Sequence, residues 1–449
     1  MKKNNLTEGP IFKSLLLFSL PMIVTNSINL VFHATDVAIL AAFADGPAVA
    51  AVGACGTLIT LMVSLFTGLA TGSNVLIAKR IGAKDEEGTR RAVGTSLTIG
   101  LLSGIFLLIV AQLFARTFLK LMDCPDDLLD MSTLYMRIYF FGSPILMLNS
   151  FAMATLRSSG DSVRPMIYSI LSGATNLLGN IVFVAIFDMT VSGVAISTVL
   201  ASLLSLVLTL IRLARNRGLC QVKVNQLRLR KIELFEIARV GLPTCLCSLS
   251  FYAANVSLAS AVNSLGTKYV TANSISGQFD GFIYTVGAAI AAATSVMVAQ
   301  NYGAKRFDRI HKTIRASFAY GTTVSLFLGT IFVIFSRPLL GILSDDAEVI
   351  SIAQDRMTLL CLTYFITTHM EIFASSLRAL KRQKWTMVVG FICGFCIRIL
   401  WRYLIWPLSP SLPFLFSCFY VSAFVAVIIY LFVYIHAMKK FASENTIPA

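Results

Sequence analysis

The chain has 449 residues, 56% of them hydrophobic and 13% charged, where a soluble domain carries about 25% charged residues. That composition excludes a water-soluble fold and makes lipid the solvent that sets the architecture. The net charge of +15 is not a nucleic-acid footprint, because the basic residues recur in short segments between apolar runs instead of forming one patch.

A membrane-crossing helix needs about 20 apolar residues. Taken in chain order, the runs that satisfy this are 15–41, 49–77, 93–114, 132–156, 165–187, 193–213, 241–262, 270–298, 316–335, 351–377, 386–406 and 414–437. They predict an all-α integral membrane protein of twelve spans. Every second loop is basic: Lys2, Lys3 and Lys13, Lys79 to Arg91, Arg157 to Arg164, Arg212 to Arg239, Lys305 to Arg315, Arg378 to Lys384, and Lys439 with Lys440. Loops between them carry Asp123, Asp126, Asp127 and Asp130, and later Asp345, Asp346 and Glu348. This alternation places both termini in the cytoplasm of a multi-pass protein of the cell membrane. The nine cysteines are scattered without the spacing of a disulfide framework.

The chain is internally duplicated at an offset of 221 residues. Ser73-Asn74-Val75 and Gly82-Ala83-Lys84 return as Thr294-Ser295-Val296 and Gly303-Ala304-Lys305. Leu156-Arg157 and Gly173 return as Leu377-Arg378 and Gly394, and Pro21 has its counterpart, at an offset of 222, in Pro243. Six spans per half return the chain to its starting side, so the halves enter the membrane with the same orientation. A pseudo-twofold axis along the membrane normal is expected, with a transporter's cavity at the repeat interface. The predicted organisation is a six-helix lobe over 1–218, a cytoplasmic linker over 219–240 and a second six-helix lobe over 241–449. Gly68/Gly72, Gly100/Gly104, Gly277/Gly281 and Gly390/Gly394 are spaced for close helix packing.

Charges inside hydrocarbon cost about 2.5–3.5 kcal/mol each, so each asks for a function or a partner. Asp36 lies deep in the first span, three residues after His33 and on the same helical face. It can hold a proton or Na+ and exchange it for a cationic substrate. Asp280 sits between Gly277 and Gly281, where close packing predicts backbone donors around it. Glu371, near His369, reads either as a second coupling carboxylate or as the ion-pair partner of Arg398. Arg398 is too deep to reach the surface and predicts a carboxylate partner, whereas Arg402, one turn on, is placed to snorkel. Asn176 and Asn180 share a face of the fifth span, as helix-bridging amides or sodium ligands. Arg137 and Arg356 each follow an Asp-Asp pair and read as interfacial anchors.

With Pro21 and Asp36, Leu156-Arg157, Gly160-Asp161, Arg164-Pro165, Asn180 and the Gly-Ala-Lys loops, nearly the whole chain resembles the multidrug and toxic compound extrusion (MATE) family. The resemblance implies two six-helix lobes working by alternating access, with Asp36 matching the first-helix acid and Asn180 the fifth-helix Asn of the N-terminal cavity. Val184 stands where many relatives have an Asp, and Asn255 where one branch has an acid. The expected protein is a monomeric, cofactor-free, non-enzymatic antiporter, coupled to H+ or Na+, that exports organic cations or drugs across the bilayer without nucleic acid. The alternative is a flippase or exporter of lipid-linked or anionic metabolites, towards which Arg398 points.

Overall fold

The computed structural model describes residues 6–44, 46–122, 124–215, 220–222 and 226–446. Lys2, Lys3, Asp123 and the side chains of His33 and Lys440 lie outside the described residues. The described secondary structure is helical, and it divides into two compact units. The first, Leu20–Cys245, holds α2 (Gly46–Gly82), α3 (Glu86–Leu121), α4 (Asp126–Phe141), α5 (Ser143–Ser158), α6 (Val163–Asn180) and α7 (Thr190–Ala214). Most of α1 (Ile11–Phe43) and the first turns of α8 (Lys231–Ser264) also belong to it. The second unit, Leu246–Ala449 with the segment ending at Ser19, holds the rest of α8, α9 (Thr267–Gly303), α10 (Phe307–Ile334), α11 (Ser336–Gly341) and α12 (Ala347–Ala379). Its last two spans are Gln383–Leu408, in which α13 (Gln383–Phe391) and α14 (Ile397–Leu400) alternate with π-helical turns, and α15 (Leu412–Thr446).

Eleven of these helices are long and apolar enough to cross a membrane, and a twelfth span comes from α4 and α5 taken together. The expected straight span at 132–156 is instead a pair bent by 48° at Gly142. Pro144, in the first turn of α5, cannot donate a backbone hydrogen bond into α4. A Cβ at Gly142 would meet Val199 at 2.3 Å, so the bend is packed tightly against α7. Most of the other helices overrun the expected spans at both ends, as α2 and α9 do with 37 residues each, whereas α10 and the Val163–Ile186 span each stop one residue short of the expected end. Their outer faces carry Phe106, Leu113, Phe327 and Phe432 exposed to lipid, while each unit keeps an apolar core of its own.

The duplication reaches individual contacts. In the first unit Asn74 Nδ2 donates to the Ala154 carbonyl at 3.2 Å, and at the same offset Ser295 Oγ donates to the Ser375 carbonyl at 3.4 Å. Lys84 and Lys305, closing the equivalent Gly-Ala-Lys loops, have φ of 56° and 57°. The arginine loop uses left-handed backbone at Gly160 (φ 82°) and at its counterpart Lys381 (φ 61°). A side chain at that angle crowds its own carbonyl, at a cost of about 1–2 kcal/mol. Lys381→Gly is therefore expected to stabilise the protein by up to about 1 kcal/mol, the greater freedom of glycine in the unfolded chain offsetting the rest. Thermal unfolding in detergent checks this, and an unchanged or lower midpoint would count against the strain.

Loop acids terminate helices as well as balancing charge. Asp85 caps α3 by accepting from the Gly88 N–H at 2.8 Å and pairs with Arg80 at 2.7 Å; these donors hold its carboxyl below the usual range. Asp346 caps α12 through the N–H groups of Glu348 and Val349, which lower its carboxyl likewise. Within the 219–240 stretch, Glu233 on α8 is buried against Arg91 at 3.4 Å, and Glu236 accepts from Arg80 at 3.2 Å. A Cβ at Gly72 would meet the Ile237 carbonyl at 2.4 Å, so Gly68/Gly72 is the close-packing surface its spacing predicts. Gly277 and Gly281 are not: an added Cβ would touch nothing nearer than 4.0 Å, and both line a cavity.

Candidate functional site

In the first unit α1 and α6 bring Asp36 and Asn180 together. Asn180 Nδ2 donates to Asp36 Oδ1 at 2.5 Å and to Asn176 Oδ1 at 3.5 Å. Asn176 Nδ2 in turn donates to Thr198 Oγ1 on α7 at 3.3 Å, so the amide bridges helices as its position predicts. The close approach depends on Gly173, whose missing Cβ leaves room for the Phe32 ring. Asn180 is fully buried at the last α-helical turn of α6, and the π-helical turn Ile181–Ile186 follows immediately. Such turns widen the backbone locally and recur at functional sites.

Asn180 Oδ1 is buried and has no hydrogen-bond partner among the described residues. The cluster therefore presents a carboxylate and amide oxygens, a donor set suited to a hard cation or a proton. Tyr135 and Tyr139 of α4 lie near enough to interact with the Asp36 charge. Sequence reasoning missed both, since tyrosines in a span ordinarily read as core. Val184, the departure from the family pattern, is buried in apolar surroundings.

The second unit contains a cavity of about 460 Å3 lined by Asn255, Gly277, Asp280, Tyr284, Arg356 and Arg398 among others. Asp280 is 6% exposed and is held by side chains instead of the expected backbone donors. Arg356 Nη1 donates to its Oδ1 at 2.9 Å, Arg356 Nη2 to its Oδ2 at 3.4 Å, and the Tyr364 hydroxyl to Oδ2 at 3.1 Å. Arg356 also donates to Ser276 Oγ at 3.0 Å and lies over the Phe416 ring at 4.3 Å. It is 4% exposed, so the expected interfacial anchor is a buried ion-pair partner, while Arg137 is exposed. Burial removes the water that would otherwise solvate the guanidinium, and the Asp280 carboxylate takes that place.

Among the described residues Arg398 does not have the predicted carboxylate partner. Its guanidinium lies over Phe419 at 4.1 Å and Phe251 at 4.8 Å, and Nε reaches Ser422 Oγ at 3.5 Å. Nη1 is buried with no hydrogen-bond partner among the described residues. Two aromatic faces stabilise the charge in place of an anion. Arg402, partly exposed, donates to Ser257 Oγ at 2.6 Å and Ser260 Oγ at 3.1 Å, tying its span to α8. Glu371 is half-buried on α12, and Arg378, Tyr284 and Tyr430 are among the groups its charge acts on. It makes no ion pair with Arg398. His369 bonds Thr322 Oγ1 at 2.7 Å and packs against Phe318. No cluster of three His, Cys, Asp or Glu side chains that could hold a metal occurs among the described residues.

The chain is 24% identical over 400 residues to the probable multidrug resistance protein YoeA of Bacillus subtilis, covering 88% of this chain and 86% of that protein. It is 20% identical over 392 residues to the multidrug export protein MepA of Staphylococcus saprophyticus, covering 87% and 86%. Among solved structures, a MATE protein in the bent conformation superposes with a TM-score of 0.91 at 19% identity over the full length of both chains. A MOP superfamily transporter from Pyrococcus furiosus superposes with a TM-score of 0.90 at 19% identity, covering 100% of this chain and 99% of that one. At such identity these superpositions establish the fold. The family model MatE matches separately over residues 21–186 and 243–404, one match for each half of the duplication. Matched over most of its length, the chain belongs to the MatE family and is a multi-pass membrane transporter.

Proposed function

We propose that this transporter exports organic cations and drugs by alternating access, driven by H+ or Na+ entering through the Asp36–Asn180 cluster. The observation that carries this reading is Asp36, an intramembrane carboxylate held at 2.5 Å by Asn180, whose own carbonyl oxygen has no hydrogen-bond partner among the described residues. An arriving cation neutralises the carboxylate and competes with Asn180 for Asp36 Oδ1. This changes the helix α1–α6 contact and favours the arrangement that releases substrate outward. Substrate from the cytoplasm then displaces the ion. Moving one charge across 100 mV supplies about 2.3 kcal/mol, and a ten-fold ion gradient about 1.4 kcal/mol more. In this reading the protein is a monomer in the plasma membrane with both termini cytoplasmic. Asp280 and Glu371 belong to the second unit's share of the machinery, with Asn176 supporting the Asp36–Asn180 cluster and Asn255 the second unit's cavity. The relatives named for multidrug resistance and multidrug export support the substrate class.

The test is ethidium efflux from loaded, pump-deficient cells expressing the chain, with the proton gradient collapsed or sodium withdrawn in turn. Efflux that stops under one of these treatments identifies the driving ion. Efflux unaffected by both, or absent while the folded protein is in the membrane, would refute the coupled-cation reading.

A second reading, export of anionic or lipid-linked cargo, is favoured by one observation. Arg398 brings a positive charge to the cavity wall with no anionic partner among the described residues.

A further inference from the structure

The charges on the wall of the second unit's cavity do not cancel. Asp280 and Arg356 neutralise one another in a two-bond pair, and Tyr364 occupies a further acceptor position of the carboxylate. What remains is Arg398, 2% exposed, with the rings of Phe419 and Phe251 against its guanidinium. Ring faces stabilise a cation but accept little in the guanidinium plane, where N–H donors seek oxygen. Nη1 has no such acceptor among the described residues although it is buried. An unsatisfied, nearly fully buried donor on a cavity wall marks a missing acceptor.

We propose that this cavity binds a small organic carboxylate, with Arg398 taking the carboxylate and the aromatic wall taking an apolar or aromatic body. A guanidinium presents a planar fork that matches the two oxygens of a carboxylate. Tyr284, Phe416, Phe419 and Phe251 make much of the wall apolar, which suits an organic body better than a hydrated inorganic ion. Asn255 and Gln278 supply amides for further polar groups of the ligand. At about 460 Å3 the space is that of a small-molecule pocket. The net positive wall disfavours a simple organic cation at this position. The proposal rests on the second reading, that the protein handles anionic cargo, and names its chemical class.

The experiment is equilibrium dialysis of radiolabelled benzoate against the purified full-length protein in detergent, with no ion gradient imposed. Saturable binding is expected, displaced by other aromatic carboxylates and unaffected by equal benzyl alcohol or benzylamine. Arg398→Gln should weaken it about ten-fold or more, and Arg398→Lys, which keeps the charge but not the fork, should weaken it less. Absence of saturable binding by wild type, or full binding by a folded Arg398→Gln, overturns the proposal. Displacement by chloride or phosphate at benzoate-like concentration also overturns it, making the site one for inorganic anions. Should Arg398→Gln fail to fold, the competition series on wild type decides. Because binding is read without a gradient, its failure leaves coupled ethidium efflux standing, and the loss of ethidium efflux leaves benzoate binding standing.

Discussion

Asp36→Asn should abolish uphill drug efflux while leaving the protein folded and able to exchange one drug molecule for another. The substitution keeps the shape of the side chain and an oxygen that can accept from Asn180 Nδ2, so the α1–α6 contact, 2.5 Å in the wild type, persists. What it removes is the negative charge, and with it the means of holding a proton or Na+ deep in the first span. At 100 mV and a ten-fold ion gradient the lost driving force is about 3.7 kcal/mol, of which expelling a monovalent cation against the same potential consumes about 2.3 kcal/mol, so the outward drug gradient that one-for-one exchange sustains, about ten-fold, should be lost. Transport assays with labelled tetraphenylphosphonium separate the two parts of the prediction. Net accumulation against a gradient should vanish, and counterflow of labelled for unlabelled compound should continue. Retained accumulation would remove Asp36 from the coupling step. Asn180→Ala should give a partial loss, because the carboxylate survives but loses its buried donor.

The parts of the molecule legible in the sequence are those governed by local or repetitive physics. Span positions followed from the length of hydrocarbon a helix must cross, and the duplication followed from a fixed offset that the structure repeats in the Asn74–Ala154 and Ser295–Ser375 contacts. The Asp36–Asn180 contact joins positions 144 apart; each residue was singled out as a polar group in lipid, and the family resemblance put the two in one lobe. Partners of buried charges were less legible. Asp280 and Arg356 are 76 positions apart, and Arg356 read as an anchor because of its similarity in position to Arg137. One signal was available: at 1.5 Å per residue, Arg356 lies about 14 Å inside the start of α12, a long reach for a snorkelling side chain. Arg398 was expected to find a carboxylate because a single chain does not reveal which of 32 phenylalanines will face it. The bend at Gly142 was missed because the apolar run continues through it, and hydropathy carries no information on direction.

Arg356→Met should cost more stability than any other substitution considered for this chain. The methionine fills similar space and touches Phe416 as readily, but it leaves Asp280 buried at 6% exposure with Tyr364 as its remaining side-chain donor. Removing one member of a buried ion pair costs about 3–5 kcal/mol, most of it from the stranded charge and not from the lost attraction. For a unit of roughly 200 residues that corresponds to a midpoint lower by about 10 °C. The double variant Asp280→Leu with Arg356→Met removes both charges together, so it should recover most of the loss even though the wild-type pair is absent. Melting of the four proteins in one detergent, followed by the fraction that remains monodisperse after heating, gives the coupling energy as a double-mutant cycle. If Arg356→Met melts with the wild type, the pair is not structural, and Asp280 must be sufficiently hydrated in the cavity to remain charged alone. If the single and double variants fall equally, the loss lies in packing around Phe416 and not in charge. The expected pattern, a large single loss reversed by the second substitution, would identify the Asp280–Arg356 pair as a self-cancelling element that leaves Arg398 as the charge the cavity presents to its ligand.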